Sequence, residues 1–312
     1  ALVFALIEGR TYGWWAPAER FGVAGLDWPL DGISPIPLAL ALAAGGVATF
    51  VAVELRRGRQ GRTRLVDLEL FRIASFRWGN VTALLVSLGE FGLLFAIPLY
   101  LQNVLGLSAL QTGGTLAVLA LGAFLTGGGA APASARLGAR GVVRLGMALE
   151  AVGLAGFALG VAPDASAWRF LVPLFVYGMG VGFATAQLTG VILADVPQAA
   201  SGQASGIQST SRQIGSALGV ATLGVILATA LAGNARDRLE ATGVPAADAA
   251  TIATAVERSG GTAIPALAAG PDGPTIGPAL EAAFSDATRR TSLVAAGFIL
   301  VGLGSSLLLP RR

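Results

Sequence analysis

The hydrophobic residues of this 312-residue chain are concentrated in long continuous runs rather than in short periodic patterns. Each of seven runs is long enough to cross roughly 30 Å of hydrocarbon as a helix. They cover residues 36–55, 78–101, 110–131, 142–161, 170–194, 207–231 and 293–309. The opening run at 1–7 is too short to span a bilayer and is interpreted as the end of a further helix. The pattern therefore predicts seven complete spans and one truncated span.

The residue types inside these runs predict the fold class. The runs are rich in Ala, Gly, Leu and Val and lack the apolar–polar alternation of a membrane β-barrel, so we predict an all-α integral membrane protein. Of all residues 54% are hydrophobic and 12% charged, and the mean hydropathy of +0.70 excludes an ordinary soluble domain. Cysteine, histidine and lysine are absent from the sequence, which excludes a thiol nucleophile, a Cys/His zinc site and a lysine-containing phosphate loop.

The positions of the arginines predict the orientation, because short arginine-rich loops stay on the cytoplasmic side. If successive spans cross the membrane in alternating directions, one group of arginines lies on a single, cytoplasmic face together with the C-terminus. This group consists of Arg56, Arg57, Arg59, Arg62, Arg64, Arg72, Arg77, Arg136, Arg140, Arg144, Arg311 and Arg312. The opposite face is predicted to be external. Its longest connection, 233–290, is predicted to be a partly ordered loop with amphipathic turns around 246–258 and 278–290.

Two glutamates lie inside the predicted spans. Glu90 is near the middle of 78–101, where an ionised carboxylate costs a few kcal/mol and needs water, a partner or a proton. We interpret it as a proton- or cation-binding group; the alternative is a hydrogen-bonded packing residue. Glu150, about eight residues into 142–161, leaves the same two possibilities open. The sequence does not decide whether the two carboxyl groups face one cavity.

The start of the 207–231 span is unusually rich in small and polar residues. Two G-x-x-x-G pairs there favour close approach of helix backbones in lipid: Gly202/Gly206 and Gly215/Gly219. Arg212, inside the same run, must snorkel, pair with a carboxylate or bind an anionic group. Asp195 is its candidate partner, and with the adjacent Gln213 we predict a structural ion pair or gate rather than direct substrate contact.

Three segments together resemble one known family. They are Gly202-x-Ala204-Ser205-Gly206 with Arg212-Gln213-x-Gly215 and Gly219-Val220-Ala221, the stretch 65–71 before a span, and 98–106 at the outer end of that span. In this order they resemble the C-terminal part of 14-span drug:proton antiporters of the major facilitator superfamily, which are bacterial multidrug exporters.

The resemblance implies a major-facilitator-type helical bundle in two parts. Residues 1–64 would hold a truncated span, an external loop and a linker helix, and 65–312 would form the C-terminal six-helix domain. The N-terminal six helices would be a missing partner. Arg136, Gly138 and Arg140 look like a copy of the cytoplasmic loop motif, with Ala135 where that motif carries Asp.

The implied function is proton-coupled efflux of amphipathic, lipophilic and cationic drugs across the bacterial cytoplasmic membrane. The partners would be the lipid bilayer, drugs or metabolites and protons, with no nucleic acid, no cofactor and no enzymatic step. The proton gradient would supply the energy. Glu90, and second Glu150, would couple protons to substrate, and three aromatic residues would line the cavity: Phe91, Phe95 and Tyr100.

Three other functions stay open. The first is a dedicated exporter of a single metabolite, antibiotic or siderophore. The second is an inactive truncated product, and the third is a membrane enzyme. The last lacks support from the sequence, which contains neither an Asp-rich metal motif nor a Cys or His nucleophile.

Overall fold

The computed structural model describes residues 1–9, 11–23, 26–29, 32–60 and 65–309. Its helices are α1 (Leu2–Glu8), α2 (Pro35–Arg59), α3 (Ala74–Asn103), α4 (Ala109–Gly160), α5 (Leu171–Leu193), α6 (Ser201–Ala241), α7 (Ala246–Arg258), α8 (Ile264–Ala268) and α9 (Gly273–Ser306). Short 3-10 turns cover Leu68–Arg72, Ala167–Phe170 and Gln198–Ala200. Two two-residue strands, β1 (Gly22–Val23) and β2 (Leu26–Asp27), pair antiparallel between α1 and α2.

Five of these helical segments are long and apolar enough to cross a membrane: Pro35–Arg59, Ala74–Asn103, Ala109–Gly160, Ala167–Leu193 and Gln198–Ala241. The segment of 52 residues contains two predicted spans. Helix α9, whose last turns hold the predicted 293–309 run, does not meet the same criterion. The prediction of an all-α membrane bundle is confirmed.

Gly138 divides α4 into two helices. Its backbone has φ 73° and ψ 154°, a conformation that a residue with a side chain rarely adopts. The first half of α4 therefore ends at the predicted cytoplasmic turn, and the second half returns across the bundle. Arg136 beside this turn is exposed and Arg140 is half-buried.

Helix α5 packs between the two halves of α4 through small residues on its opposite sides. A Cβ atom at Gly178 would lie 2.0 Å from the carbonyl oxygen of Leu119 in the first half. A Cβ atom at Gly180 would lie 2.5 Å from the backbone nitrogen of Glu150 in the second half. Only glycine allows backbones this close, so both positions fix the location of α5.

The two G-x-x-x-G pairs of α6 have different surroundings. A Cβ atom at Gly215 or Gly219 would lie 2.4 Å or 2.1 Å from a backbone oxygen of α3, so this pair lies in a close helix contact. Gly202 and Gly206 are exposed and have nothing within 4 Å of a Cβ position in the described part of the chain. Gly202 and Gly206 thus face outward from the described helices, and the packing role predicted for them stays a prediction.

The predicted loop at 233–290 is largely helical, which corrects the sequence prediction. Helix α6 runs on to Ala241, α7 covers the predicted turn at 246–258, and α9 already begins at Gly273. Alanine favours helix, and a proline in the first turn of α9 costs no hydrogen bond, so a composition typical of a loop still folds as helix.

The outer helices are tied to the bundle by charged groups. Asp286 of α9 pairs with Arg238 of α6, and it also lies 3.2 Å from Arg289. A guanidinium nitrogen of Arg289 donates to the carbonyl oxygen of Val161 at 2.6 Å, just after α4 ends. These contacts join three helices at the predicted external face.

Candidate functional site

Glu90 of α3 and Glu150 of α4 lie in the same layer of the bundle. A Cβ atom at Gly302 of α9 would lie 3.0 Å from Met147 Cε and 3.4 Å from Leu85 Cβ, so these two neighbours share a depth. The helix α3 and the second half of α4 run in the same direction. Glu90 lies five residues beyond Leu85 on α3, and Glu150 lies three residues beyond Met147 on α4, so the two glutamates differ by about 3 Å in depth. The charges of Glu90 and Glu150 lie within range of electrostatic interaction.

Both carboxyl groups are buried among apolar side chains. Glu90 is 7% exposed and Glu150 is fully buried. Within the described residues, Oε2 of Glu90 and both carboxyl oxygens of Glu150 have no hydrogen-bond partner. Buried polar atoms are normally paired, so unpartnered carboxyl oxygens at one depth indicate a site that a proton, a cation or water completes.

Tyr177 of α5 joins this layer and was missed by the sequence analysis. It is 1% exposed, its hydroxyl has no partner among the described residues, and it lies within electrostatic range of both glutamates. Two glycines bring it there: a Cβ atom at Gly153 would lie 2.5 Å from the Tyr177 nitrogen, and one at Gly180 would lie 2.7 Å from Glu150 Cγ. A tyrosine within an apolar run gives no signal of its own, because its ring packs as well as phenylalanine.

Arg212 of α6 is half-buried, and its charge interacts with both Glu90 and Glu150. The sequence analysis did not foresee this electrostatic interaction with the two glutamates. The pairing with Asp195 stays a prediction. Gln213 is exposed, and its amide lies 3.5 Å from the Ser209 hydroxyl one turn earlier.

The three aromatic residues predicted to line one cavity do not share a surface. Phe91 and Phe95 are 40% and 46% exposed, as expected for neighbours four residues apart on one helix face. Tyr100 is fully buried, its ring packs edge-on against Phe157 and Phe170, and its hydroxyl donates to the Ala162 carbonyl at 2.7 Å. Including Tyr100 was wrong, because five residues rotate it about 140° away from Phe95.

A cavity of about 670 Å³ lies between α1, α3, α6 and α7. Phe95 lines it, whereas Glu90, Phe91 and Tyr100 do not. Its walls are formed mainly by apolar residues of α3 and α6, and charged residues from the α1–α2 connection and α7 stand at its edge. The cavity is thus adjacent to the glutamate layer but formed by a different face of α3.

The predicted cytoplasmic end is held by buried polar contacts. Glu54 of α2 is 2% exposed, and its Oε2 accepts from the backbone nitrogens of Leu65 and Val66 at 2.9 and 3.1 Å. Oε1 of Gln203 on α6 accepts from the Asp67 nitrogen at 3.2 Å. The 65–71 segment is therefore anchored to both α2 and α6. Sequence reasoning missed Glu54, which looks like one member of an exposed, charged helix end.

Comparison with known proteins identifies the family. The model of the Major Facilitator Superfamily matches residues 19–220. The multidrug resistance protein Stp of Mycobacterium tuberculosis is 31% identical over 77% of this chain and 40% of its own. A tetracycline resistance determinant of Streptomyces rimosus is 29% identical over 74% of this chain and 61% of its own. The tetracenomycin C resistance and export protein of Streptomyces glaucescens is 32% identical over 61% of this chain and 35% of its own.

The chain thus spans between about a third and three fifths of the length of these relatives. The family match extends from the residues before α2 to the middle of α6, so it includes Glu90, Glu150, Tyr177 and Arg212. With the apolar helices, it confirms a multi-pass membrane protein of a transporter family and the resemblance drawn from the motifs. The chain belongs to the Major Facilitator Superfamily.

Proposed function

We propose that the chain forms the C-terminal part of a proton-coupled exporter of amphipathic, lipophilic cations across the bacterial cytoplasmic membrane. The observation that carries this proposal is the glutamate layer: two buried carboxyl groups at one depth, with unpartnered oxygens and a half-buried guanidinium within electrostatic range. The names of the relatives support drug or antibiotic export as the activity.

The charge balance of the layer supports an exchange of cations. Two carboxylates and one guanidinium leave a net negative charge, which is costly in a medium of low dielectric constant. A bound proton relieves that cost, and so does the cationic group of a substrate. Because both relieve the same charge, binding of one favours release of the other, which is the requirement for antiport.

The two glutamates are proposed to have unequal roles. Glu90 is buried but keeps an exposed fraction of 7% and is followed directly by the exposed Phe91, so we assign to it the exchange of protons and the contact with substrate. Glu150 is fully enclosed against Gly180 of α5, so it provides the fixed charge beside Glu90. Arg212 balances the pair from α6 and would act as a gate when the helices shift.

Transport would require a second helical domain opposite this one. In this superfamily, access alternates by rocking one bundle against another around a site near the bilayer midplane. The predicted orientation, with the C-terminus in the cytoplasm, would direct export outward. No cofactor or catalytic step is needed in this scheme, since the proton gradient drives the exchange.

The test uses everted vesicles that carry the longer protein containing this chain. An imposed pH gradient is followed while lipophilic cations are added, for Glu90→Gln and for the matched control Glu281→Gln on the outer half of α9. We expect cation-evoked proton movement in the control and at least about a tenfold loss in Glu90→Gln. Proton movement that survives Glu90→Gln would contradict the coupling role of this residue.

A second candidate function is the dedicated export of one antibiotic or metabolite. The tetracenomycin C relative, named for a single compound, favours it. In that case the vesicles would respond to one compound and to none of the unrelated lipophilic cations. The same experiment therefore separates the two substrate profiles.

A further inference from the structure

We propose that polar residues on one side of α3 form a proton path from the glutamate layer to the predicted cytoplasmic end of the bundle. The path consists of Asn80, Ser87 and Glu90 with water molecules between them, and a hydrogen bond between α5 and α6 closes it. The inference rests on the proposed function and deepens it, because it gives the proton of Glu90 a route. One of its tests needs no substrate, so the two proposals fail separately.

The three side chains follow one another along one side of α3. Ser87 lies seven residues beyond Asn80, which is nearly two full turns, so their directions differ by only about 20°. Glu90 lies three residues further, rotated by about 60° and about 4.5 Å deeper in the bundle. The path therefore follows a single helix, and its ends are about 15 Å apart.

All three side chains are buried and incompletely hydrogen-bonded. Each is at most 7% exposed. Within the described residues, Oδ1 of Asn80, Oγ of Ser87 and Oε2 of Glu90 have no hydrogen-bond partner. The amide nitrogen of Asn80 donates to the Phe76 carbonyl oxygen at 2.8 Å, which orients its side chain. Buried polar atoms are normally satisfied by protein or water, so a row of such atoms on one side of a helix indicates water sites.

Gln208 of α6 lies close in depth to Asn80. A Cβ atom at Gly215 would lie 2.4 Å from the Leu84 carbonyl oxygen of α3, so these two residues share a depth. The two helices run in the same direction, and Gln208 lies seven residues before Gly215 on the same side of α6. It is therefore on the α3 side of α6, about 4.5 Å nearer than Asn80 to the predicted cytoplasmic end.

Thr189 of α5 forms a hydrogen bond with Gln208 across this end of the path. A Cβ atom at Gly79 of α3 would lie 2.5 Å from Ile192 Cγ1, and Thr189 lies one turn before Ile192, about 3 Å deeper than Asn80. The side-chain nitrogen of Gln208 donates to the Thr189 hydroxyl oxygen at 3.0 Å. The bond thus joins α5 to α6 near the depth of Asn80.

The side of α3 that carries Asn80 lies between α5 and α6. The Cβ positions of Gly79 and Gly92 meet α5 and α6, respectively. At about 100° per residue, Asn80 is rotated about 100° from Gly79 and about 120° from Gly92. Thr82 points to the opposite side, where its hydroxyl lies 2.7 Å from the Ser305 hydroxyl of α9. The α5–α6 hydrogen bond therefore crosses the side of α3 that carries the path.

Separation of α5 from α6 would break this bond and admit water to Asn80, and from there to Ser87 and Glu90. A proton that leaves the Glu90 carboxyl group would pass to the adjacent water, and each water would pass one proton onward. One proton would then emerge at the cytoplasmic end, with the waters unchanged. The bond between Gln208 and Thr189 would thus decide when Glu90 exchanges its proton with that side.

The first test removes the Ser87 hydroxyl in everted vesicles that carry the longer protein containing this chain. Ser75→Ala is the matched control, because Ser75 is equally buried, has an unpartnered hydroxyl among the described residues and is rotated about 120° from Ser87 on α3. We expect Ser87→Ala to slow cation-evoked proton movement about fivefold, the effect of one hydrogen bond on a rate, with unchanged affinity for tetraphenylphosphonium. Ser75→Ala should change neither. Equal rates in the two variants would overturn the path through Ser87.

The second test opens the closing bond and uses no substrate. Thr189→Val removes the acceptor at nearly constant volume, and Thr210→Val is the control, since the exposed Thr210 hydroxyl bonds only to the Gly206 carbonyl oxygen of its own helix. With an imposed pH gradient, we expect about fivefold faster proton leak in Thr189→Val and no change in Thr210→Val. Gln208→Leu removes the donor of the same bond and replaces Thr189→Val if that variant does not fold. A leak equal to that of the control would overturn the closing role of the bond.

The outcomes separate this inference from the proposed function. Coupling that survives in Glu90→Gln, together with a faster leak in Thr189→Val, would remove the proposed role of Glu90 and leave the closing bond in place. Loss of coupling in Glu90→Gln, with Ser87→Ala and Thr189→Val equal to their controls, would remove only the proton path.

Discussion

Two buried tyrosines differ in the hydrogen bonding of their hydroxyl groups. Tyr100 donates to the Ala162 carbonyl at 2.7 Å and fixes the outer end of α3. The Tyr177 hydroxyl is buried at the glutamate layer and has no partner in the described part of the chain. Burying a hydroxyl without a hydrogen bond costs free energy, so under the proposed function we expect the Tyr177 hydroxyl to gain a contact when a proton, cation or water occupies the layer.

Replacing each tyrosine by phenylalanine should have opposite consequences. We expect Tyr100→Phe to lower the free energy of unfolding by about 1 kcal/mol, because it removes a hydrogen bond and orphans a carbonyl. Tyr177→Phe should be neutral or stabilising, because it removes only an unpartnered group, and should alter proton coupling instead. Thermal unfolding in detergent beside the vesicle assay measures both. Equal destabilisation by the two substitutions would show that Tyr177 is simply a packing residue.

The residue-level site could be predicted only in part from sequence. Glu90, Glu150 and Arg212 can be picked out from the sequence, because a charged side chain inside an apolar run costs free energy. Tyr177 and Glu54 carry no such signal, since a tyrosine suits a span and a glutamate suits a helix end. Which side chains meet depends on helix rotation, and a hydropathy profile contains no information about rotation.

At the level of elements, glycines decide where helices touch. The α3–α6 contact relies on Gly215 and Gly219, whose Cβ positions would meet α3 backbone oxygens at 2.4 Å and 2.1 Å. The identical spacing at Gly202 and Gly206 makes no such contact within the described helices. A G-x-x-x-G pair in the sequence thus indicates that close approach is possible, and the partner helix determines whether it occurs.

We therefore expect Gly219→Ala and Gly206→Ala to differ. The first must separate α3 from α6 and should lower the unfolding free energy by about 1–3 kcal/mol. The second adds a methyl group at an open position and should leave stability unchanged or slightly raised, since alanine favours helix over glycine. Thermal unfolding of both variants in one detergent is the measurement. Similar losses in both would contradict the assigned contact.

The lengths of the elements were less predictable than their number. Apolar runs locate the spans, but α6 and α9 continue well beyond the hydrocarbon-length segments, to Ala241 and back to Gly273. These extensions are rich in alanine and are held by Asp286 between two arginines. A hydropathy profile detects only the apolar part of a helix. The polar remainder of α6 and α9 was therefore predicted to be a loop.

At the scale of the whole molecule, the proposed outward export depends on the orientation of the chain across the membrane. The arginine distribution predicts the Gly138 turn inside the cell and α7 outside. Several of the arginines used for that prediction, including Arg62, Arg64, Arg311 and Arg312, lie outside the described residues. Orientation is therefore best measured directly.

The absence of cysteine from this chain makes that measurement simple. Ala135→Cys beside the turn and Asp248→Cys on α7 are both exposed positions and can be labelled one at a time. We expect a membrane-impermeant maleimide to label Asp248→Cys on intact cells and Ala135→Cys only after permeabilisation. The reverse pattern would invert the proposed direction of transport.

Helix α2 is attached to the rest of the chain in an unusual way. Only 6% of its apolar window is buried by other described residues, and large side chains along it, such as Leu42 and Phe50, are exposed. It is attached near both ends: Glu54 accepts two backbone hydrogen bonds, and the buried Ser34, just before its first turn, donates to the Tyr12 carbonyl oxygen at 3.1 Å. A helix that is attached near its ends and exposed in between can be replaced without repacking the bundle. Exchanging the apolar middle of α2 would therefore leave the contacts around the glutamate layer unchanged.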